Sequence, residues 1–252
     1  MRITIFGLGE AGSLIAGDLA RVGVEVHGFD PADVPTPEGV HRHDLPTSAA
    51  AGAELVAAVT AAADAKKAMA QAWEIIGPET VYADLATSSP ELKRELAEIA
   101  AERGVPFVDV ALMAPVPGRG LSTPALASGP GAEIMAAALN LLGARIDAIG
   151  GEAGASQARK LTRSVVTKGL ASLVREAMAA ARVAGDEQWA WRHIVELLEG
   201  TDEEFIERLI EGTDLHADRR LAEMEAAAAY LTELGVPGDM TAGTIEHLRR
   251  AT

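Results

Sequence analysis

The sequence predicts an α/β protein, with a doubly wound parallel sheet in the N-terminal part, an all-helical C-terminal domain, and a long helix joining the two. Three observations predict it. A β-branched and aromatic run, Ile3-Thr4-Ile5-Phe6, feeds directly into a glycine-rich turn that opens an apolar helical pattern. Strand and helix patterns then alternate as far as Ile149. From Ser156 onward only helical patterns remain, so the expected domains are residues 1–153 and 154–252.

The turn is Gly7-Leu8-Gly9-Glu10-Ala11-Gly12, a G-x-G-x-x-G spacing. Gly7 permits the tight strand-to-helix reversal, Gly9 lets backbone approach a pyrophosphate, and Gly12 lets the helix sit close on the sheet. Amides of the helix's first turn then face the phosphates. The motif alone is weak. Its context makes it a dinucleotide turn of the Rossmann type, because a second strand, Val24–Phe29, follows and ends on Asp30, an acid about 20 residues beyond the glycines. A carboxylate there accepts hydrogen bonds from ribose hydroxyls and repels a 2′-phosphate. The residues that follow, Pro31-Ala32-Asp33, bring no Arg, so NAD is expected, with NADP as the alternative.

The remaining elements follow in order. Residues 13–22 continue the first helix, and Val40–His43 reads as a short third strand. Glu54–Thr60 reads as a buried strand with a helix after it, through Trp73 to Ile76. Thr80–Asp84 is the next strand. Ser89 then caps a helix whose first residue is Pro90 and which stops at Gly104. Pro106–Leu112 is another strand, and alternation of this kind implies parallel pairing with helices on both faces. Ala114 to Pro124 is a Pro- and Gly-rich loop, and Pro124–Ser128 and Ala144–Ile149 are short strands flanking a helix. Residues 155–184 form one long helix, with later helices punctuated at Gly185, Gly200, Gly212 and Val236-Pro237-Gly238.

The bulk properties narrow the function classes. Hydrophobic residues make up 48% of the 252-residue chain and aromatics only 4%, so the core is built from Ala, Leu, Val and Ile. The chain has no cysteine, which removes disulfides, thiolate metal sites and Cys nucleophiles; no metal site is expected. A net charge of -15 argues against nucleic acid or an anionic membrane as partner. Asp18, Glu54 and Asp64 interrupt the most apolar runs, and Arg2 is followed by a strand rather than a signal-peptide core, so the cytoplasm is the expected compartment.

Ligands of doubly wound sheets bind at the carboxyl ends of the strands. Thr60, the segment Asp84–Pro90 and the segment Leu112–Gly118 lie there. Thr87 suits either a ligand or a helix cap, whereas Ser89 suits the cap. On the long helix Lys160, Ser164 and Lys168 fall at i, i+4 and i+8, roughly one face. Such a stripe reads either as a solvated charged face, to which Arg159 and Arg163 belong, or as a catalytic row. A partly buried Lys beside a cofactor can shuttle the proton of an alcohol during hydride transfer.

These segments resemble the β-hydroxyacid dehydrogenase superfamily, which includes 3-hydroxyisobutyrate and 6-phosphogluconate dehydrogenases, along the whole chain. The opening turn matches the family's nucleotide motif. Asp84-Leu85-Ala86-Thr87-Ser88-Ser89-Pro90 matches its D-x-S-T-x-x-P segment with Ala86 for Ser, and Gly154 to Lys160 matches G-x-G-x-x-x-K with Ser156 for the second Gly. The resemblance implies that Lys160 is the general acid/base, with Gly7 to Gly12, Asp30, Thr60 and Thr87 at the cofactor and Thr87, Met113, Ala114, Ser164 and Lys168 at a small substrate. Met113-Ala114-Pro115 stands where the family has Ser-Gly-Gly, and Ser164 where it has Asn. The chain is most similar to a branch with a short C-terminal domain, in which Arg163-Ser164-Val165-Val166-Thr167-Lys168-Gly169 has its counterpart. The implied activity is hydride transfer between a nicotinamide and a small alcohol or hydroxy acid. Imine reduction and non-catalytic nucleotide binding are the alternatives. A homodimer through the helical domain is also implied. Trp189, Trp191, Phe205, Ile206 and Ile210 supply apolar contacts there or, more simply, intramolecular core.

Overall fold

The computed structural model describes residues 1–251. Its contacts divide the chain into two units, Met1–Thr162 and Arg163 onward.

The first unit is built on one eight-stranded sheet in the order β3-β2-β1-β4-β5-β6-β7-β8. The strands are β1 (Arg2–Phe6), β2 (Glu25–Phe29), β3 (Val40–Arg42), β4 (Leu55–Ala58), β5 (Val81–Asp84), β6 (Phe107–Leu112), β7 (Pro124–Ser128) and β8 (Arg145–Ala148). The order reverses between β1 and β4, which places the ligand crevice of a doubly wound sheet at the end of β1. The connecting helices are α1 (Glu10–Arg21), α2 (Pro46–Ala50), α3 (Ala65–Ala72), α4 (Pro90–Ala101) and α5 (Ala132–Asn140). They cover both faces. On one face Ile3, Ile5, Val108 and Val110 pack with Ile15, Leu19 and Met135. On the other, Phe6, Tyr82 and Phe107 pack with Met69, Leu96 and Ala100.

Two departures from the expected fold have local causes. The sheet is not wholly parallel, because β7 runs antiparallel to β6. The link between them contains only a 3-10 turn over Gly120–Ser122, and a parallel return needs a longer crossover, usually a helix. The short α2 was not expected; Pro46 starts it and its buried Ala49 and Ala50 seal the sheet.

The long helix α6 (Ala155–Ala184) begins in the first unit. The second unit continues with α7 (Glu187–Glu199), α8 (Glu203–Leu215), α9 (Ala217–Glu233) and α10 (Asp239–Ala251). Gly185 and Gly200 end helices as expected, but Gly212 lies inside α8. A Cβ at Gly212 would come within 2.9 Å of the Arg220 guanidinium, so the glycine makes room for a neighbouring side chain rather than a break. Trp189 and Trp191 are both 62% exposed and Ile206 and Ile210 are exposed too, which corrects the simpler expectation that they form intramolecular core. No described helix is long and apolar enough to cross a membrane.

Candidate nucleotide and proton-transfer site

The glycine turn is formed as its spacing requires. Gly7 has φ 91°, and a Cβ there would lie 2.3 Å from the Val59 carbonyl oxygen. A Cβ on Gly12 would lie 1.9 Å from the Gly7 carbonyl oxygen, so helix and turn touch. Gly9 differs, for its missing Cβ faces nothing within 4 Å. No side chain caps the helix that starts there, so the amides of its first turn, at Glu10, Ala11 and Gly12, remain for a ligand. Buried Leu8 donates its backbone N–H to Asp30 Oδ2 at 2.7 Å, and Ala32 donates to Asp30 Oδ1 at 2.8 Å. The acid at the end of β2 thus fastens the turn at the end of β1.

Around these residues opens a cleft of about 240 Å³ lined by Gly7, Gly9, Asp30, Thr60 and Lys67, among others. The Thr60 hydroxyl is buried there without a hydrogen-bond partner. A larger cleft of about 720 Å³, along α1 and residues 34–39, shares Gly9 with it. Open backbone at Gly9, uncapped amides, a carboxylate and an orphaned hydroxyl in one crevice fit a dinucleotide. Arg42 shapes the rim by donating to the carbonyls of Asp30, Val34 and Ala32, the last at 2.6 Å. Sequence reasoning missed it because it lies twelve positions from Asp30.

The second cluster lies past β5 and β6. Ser89 accepts from the Leu92 N–H at 3.2 Å and is the cap of α4, as expected. That frees exposed Thr87, whose hydroxyl accepts from Lys160 Nζ at 2.8 Å. Lys160 is half-buried. The structure therefore brings two predicted residues into direct contact. Met113 and Ala114 follow the end of β6 and are half-buried, but the Met113 N–H is already spent on the Pro124 carbonyl at 2.8 Å. Pro115 has no N–H at all. Ser164 and Lys168 belong to the second unit, where Lys168 Nζ donates to Ser164 Oγ at 3.4 Å.

Beneath Thr87 and Lys160 sits a buried ionic cluster that the sequence reading did not single out. Asp84, Asp109 and Ser128 are register neighbours across β5, β6 and β7. Lys93 of α4 donates to Asp84 Oδ2 and to the Asp84 carbonyl, both at 2.8 Å, and pairs with Asp109 Oδ1 at 3.4 Å. All three charged side chains are at most 1% exposed. The signal was present: Lys93, Leu96 and Ala100 follow helical spacing along the buried stripe of α4, where a charge demands a partner.

Residues 2–150 match the model described as the NAD binding domain of 6-phosphogluconate dehydrogenase, and residues 181–251 match a domain of unknown function, DUF1932. Among solved structures, a conserved hypothetical protein from Sinorhizobium meliloti 1021 is 29% identical, with TM-score 0.65 over 99% of this chain and 87% of that one. A conserved protein of unknown function, reported as structurally similar to 3-hydroxyacid dehydrogenases, is 28% identical, with TM-score 0.65 over 100% and 96%. An imine reductase from Streptomyces aurantiacus is 20% identical, with TM-score 0.84 over 99% and 94%, and at that identity the likeness shows the fold alone. No curated protein matched.

Proposed function

Since this chain belongs to the family of the NAD-binding domain of 6-phosphogluconate dehydrogenase, within the β-hydroxyacid dehydrogenase superfamily its motifs resemble, we propose that it is an NAD(P)-dependent oxidoreductase acting on a small alcohol or hydroxy acid. The observation that supports the proposal is the 2.8 Å contact between Lys160 Nζ and Thr87 Oγ1, an amine of the kind that can transfer a proton, beside the loop that follows β5.

A nicotinamide coenzyme, when bound, would supply or accept hydride. The chain does the rest. Amides of the first turn of α1 would hold the pyrophosphate, and the Asp30 carboxylate, which holds the Leu8 and Ala32 amides, would accept from the adenosine ribose hydroxyls. Its charge favours NAD over NADP. Lys160 takes the hydroxyl proton as the alcohol is oxidised and returns it in the reverse direction. The Thr87 hydroxyl fixes the amine's position and lends it a hydrogen-bonding relay. Ser164 and Lys168 are assigned to substrate positioning.

A second reading, reduction of an imine, draws support from the loop after β6. Met113-Ala114-Pro115 offers no side-chain hydroxyl, and neither Met113 nor Pro115 has a free N–H for a substrate carboxylate. A neutral substrate, whether alcohol or imine, suits that loop better than a hydroxy acid. The exposed Trp189, Trp191, Ile206 and Ile210 suit burial in a homodimer. The experiment is a screen of small hydroxy acids, phosphorylated sugar acids, aliphatic alcohols and cyclic imines with both coenzymes. Oxidation of an alcohol or hydroxy acid supports the proposal; imine reduction alone replaces it; tight NADH binding with no turnover of any class refutes both.

A further inference from the structure

We propose that the buried Asp84–Lys93–Asp109 triad sets the geometry of the Thr87–Lys160 pair, making Lys93 and Asp109 positioning residues; the assignment rests on the reading of Lys160 as the acid/base. The two arms of the pair are each tied to one carboxylate. Asp84 Oδ1 accepts from the Ala86 N–H at 3.1 Å, one residue before Thr87. Asp109 Oδ2 accepts from the N–H groups of Gly154 and Gln157, both at 3.0 Å, at the start of the helix that carries Lys160. Gln157 precedes Lys160 by three residues, a rise of about 4.5 Å along one helical turn.

The docking is deep and specific. Ser156 Oγ donates to the Asp109 carbonyl at 3.1 Å, the Ser156 N–H donates to Ser128 Oγ at 3.0 Å, and Ser128 Oγ donates in turn to Asp109 Oδ2 at 3.2 Å. Gly154 has φ 99°, and a Cβ there would lie 2.6 Å from the Pro90 carbonyl oxygen, so the start of α6 is pressed against the start of α4. Lys93, from that same α4, bridges both carboxylates. Lys93 faces both carboxyl groups, and Asp109 also faces the first amides of α6, where a helix carries partial positive charge. A buried ionic cluster is a poor source of stability compared with apolar packing, but its bonds are directional. Here three of those bonds end on Ala86, one residue before Thr87, and on Gly154 and Gln157 at the start of the helix that carries Lys160.

The test needs no substrate, so a failed activity screen does not touch it. The full-length protein is trace-labelled with acetic anhydride, and labelling of Lys160 is read by mass spectrometry against the exposed Lys66 and Lys67. Asp109→Asn keeps an acceptor and leaves Asp84 and Lys93 as a one-to-one pair, so this variant is the primary test. Lys93→Met is the second, and if it does not fold, Asp109→Asn decides. The expected result is a several-fold rise in the relative labelling of Lys160 with NADH affinity unchanged. Leu96→Ala, which thins the core beneath the same helix, lowers stability and leaves the ratio alone. A wild-type ratio in folded Asp109→Asn, or an equal rise in Leu96→Ala, overturns the proposal.

Discussion

Lys160 Nζ donates to Thr87 Oγ1 across 73 positions of sequence. One residue comes from the loop after β5 and the other from the second turn of α6, so the contact exists only when the sheet, α4 and the start of α6 have all assembled. Both residues stand on bases fixed by buried hydrogen bonds, Asp84 to Ala86 on one side and Asp109 to Gln157 on the other. An amine held this way would keep its place while a substrate comes and goes.

The glycines of the turn separate folding from binding. Gly9→Ala adds a methyl group that meets nothing within 4 Å. It is expected to fold with a thermal midpoint close to wild type and to bind NADH at least tenfold more weakly, by about 1.4 kcal/mol. Gly12→Ala instead drives a methyl group into the Gly7 carbonyl oxygen, 1.9 Å away, and is expected to lower the melting temperature itself. Thermal melts beside NADH titrations of both variants check the contrast.

On the proposed reading, Asp30 would set coenzyme choice by charge. Asp30→Asn keeps an acceptor for the Leu8 N–H while removing the repulsion of a 2′-phosphate. The expected outcome is a fall in the NAD-to-NADP affinity ratio of about tenfold, or about 1.4 kcal/mol, measured by titration with both coenzymes. An unchanged ratio would assign discrimination elsewhere on the rim.

Much of this was legible in the sequence because it is local. The turn from Gly7 to Gly12 and the acid at Asp30 follow from backbone sterics and spacing, and Ser89 announces a helix start. The pairing of Thr87 with Lys160 was reachable only through motif resemblance, since neither residue's neighbours reveal the other. The reversal of β7 was hidden because Pro124–Ser128 reads alike in either direction; the length of its connection decides the matter. The ionic triad was hidden because Lys93 sits among Arg94, Glu95 and Glu98, where one buried charge looks like its solvated neighbours. Residue type leaves the tryptophans of α7 as either dimer contacts or, more simply, core, and in this chain they face outward.

Acid is expected to loosen the sheet edge through His43. Burial, then the nearby His27 and Arg2, hold the His43 pKa below its ordinary value of 6.5. The folded state therefore binds fewer protons than the unfolded chain, and the stability this provides is present above pH about 6.5 and lost as pH falls toward the folded value. His27 Nε2 lies 2.9 Å from Glu25 Oε1, and its Nδ1 lies 2.6 Å from His43 Nε2 and 3.2 Å from the Arg2 guanidinium. Protonating His43 thus adds a cation beside Arg2. The melting temperature should drop between pH 7 and pH 5, and His43→Asn should flatten that drop. Glu25, whose carboxyl is held below its usual 4.5 chiefly by the His27 hydrogen bond, stabilises the fold above that pH and loses its contribution only at lower pH.

The outward tryptophans predict self-association. Light scattering of the full chain is expected to give a dimer, and Trp189→Ser with Trp191→Ser is expected to shift it toward monomer without unfolding it, because both side chains are 62% exposed within one chain. A monomeric wild type would contradict the dimer.

The most direct measurement is turnover by Lys160→Ala with the best substrate from the screen, alongside its NADH affinity. Loss of general acid/base help is worth about 100- to 10,000-fold in rate. The account predicts a fall in kcat of that size with NADH binding nearly unchanged, because the glycine turn and Asp30 do not depend on the amine. Turnover at the wild-type rate would contradict it.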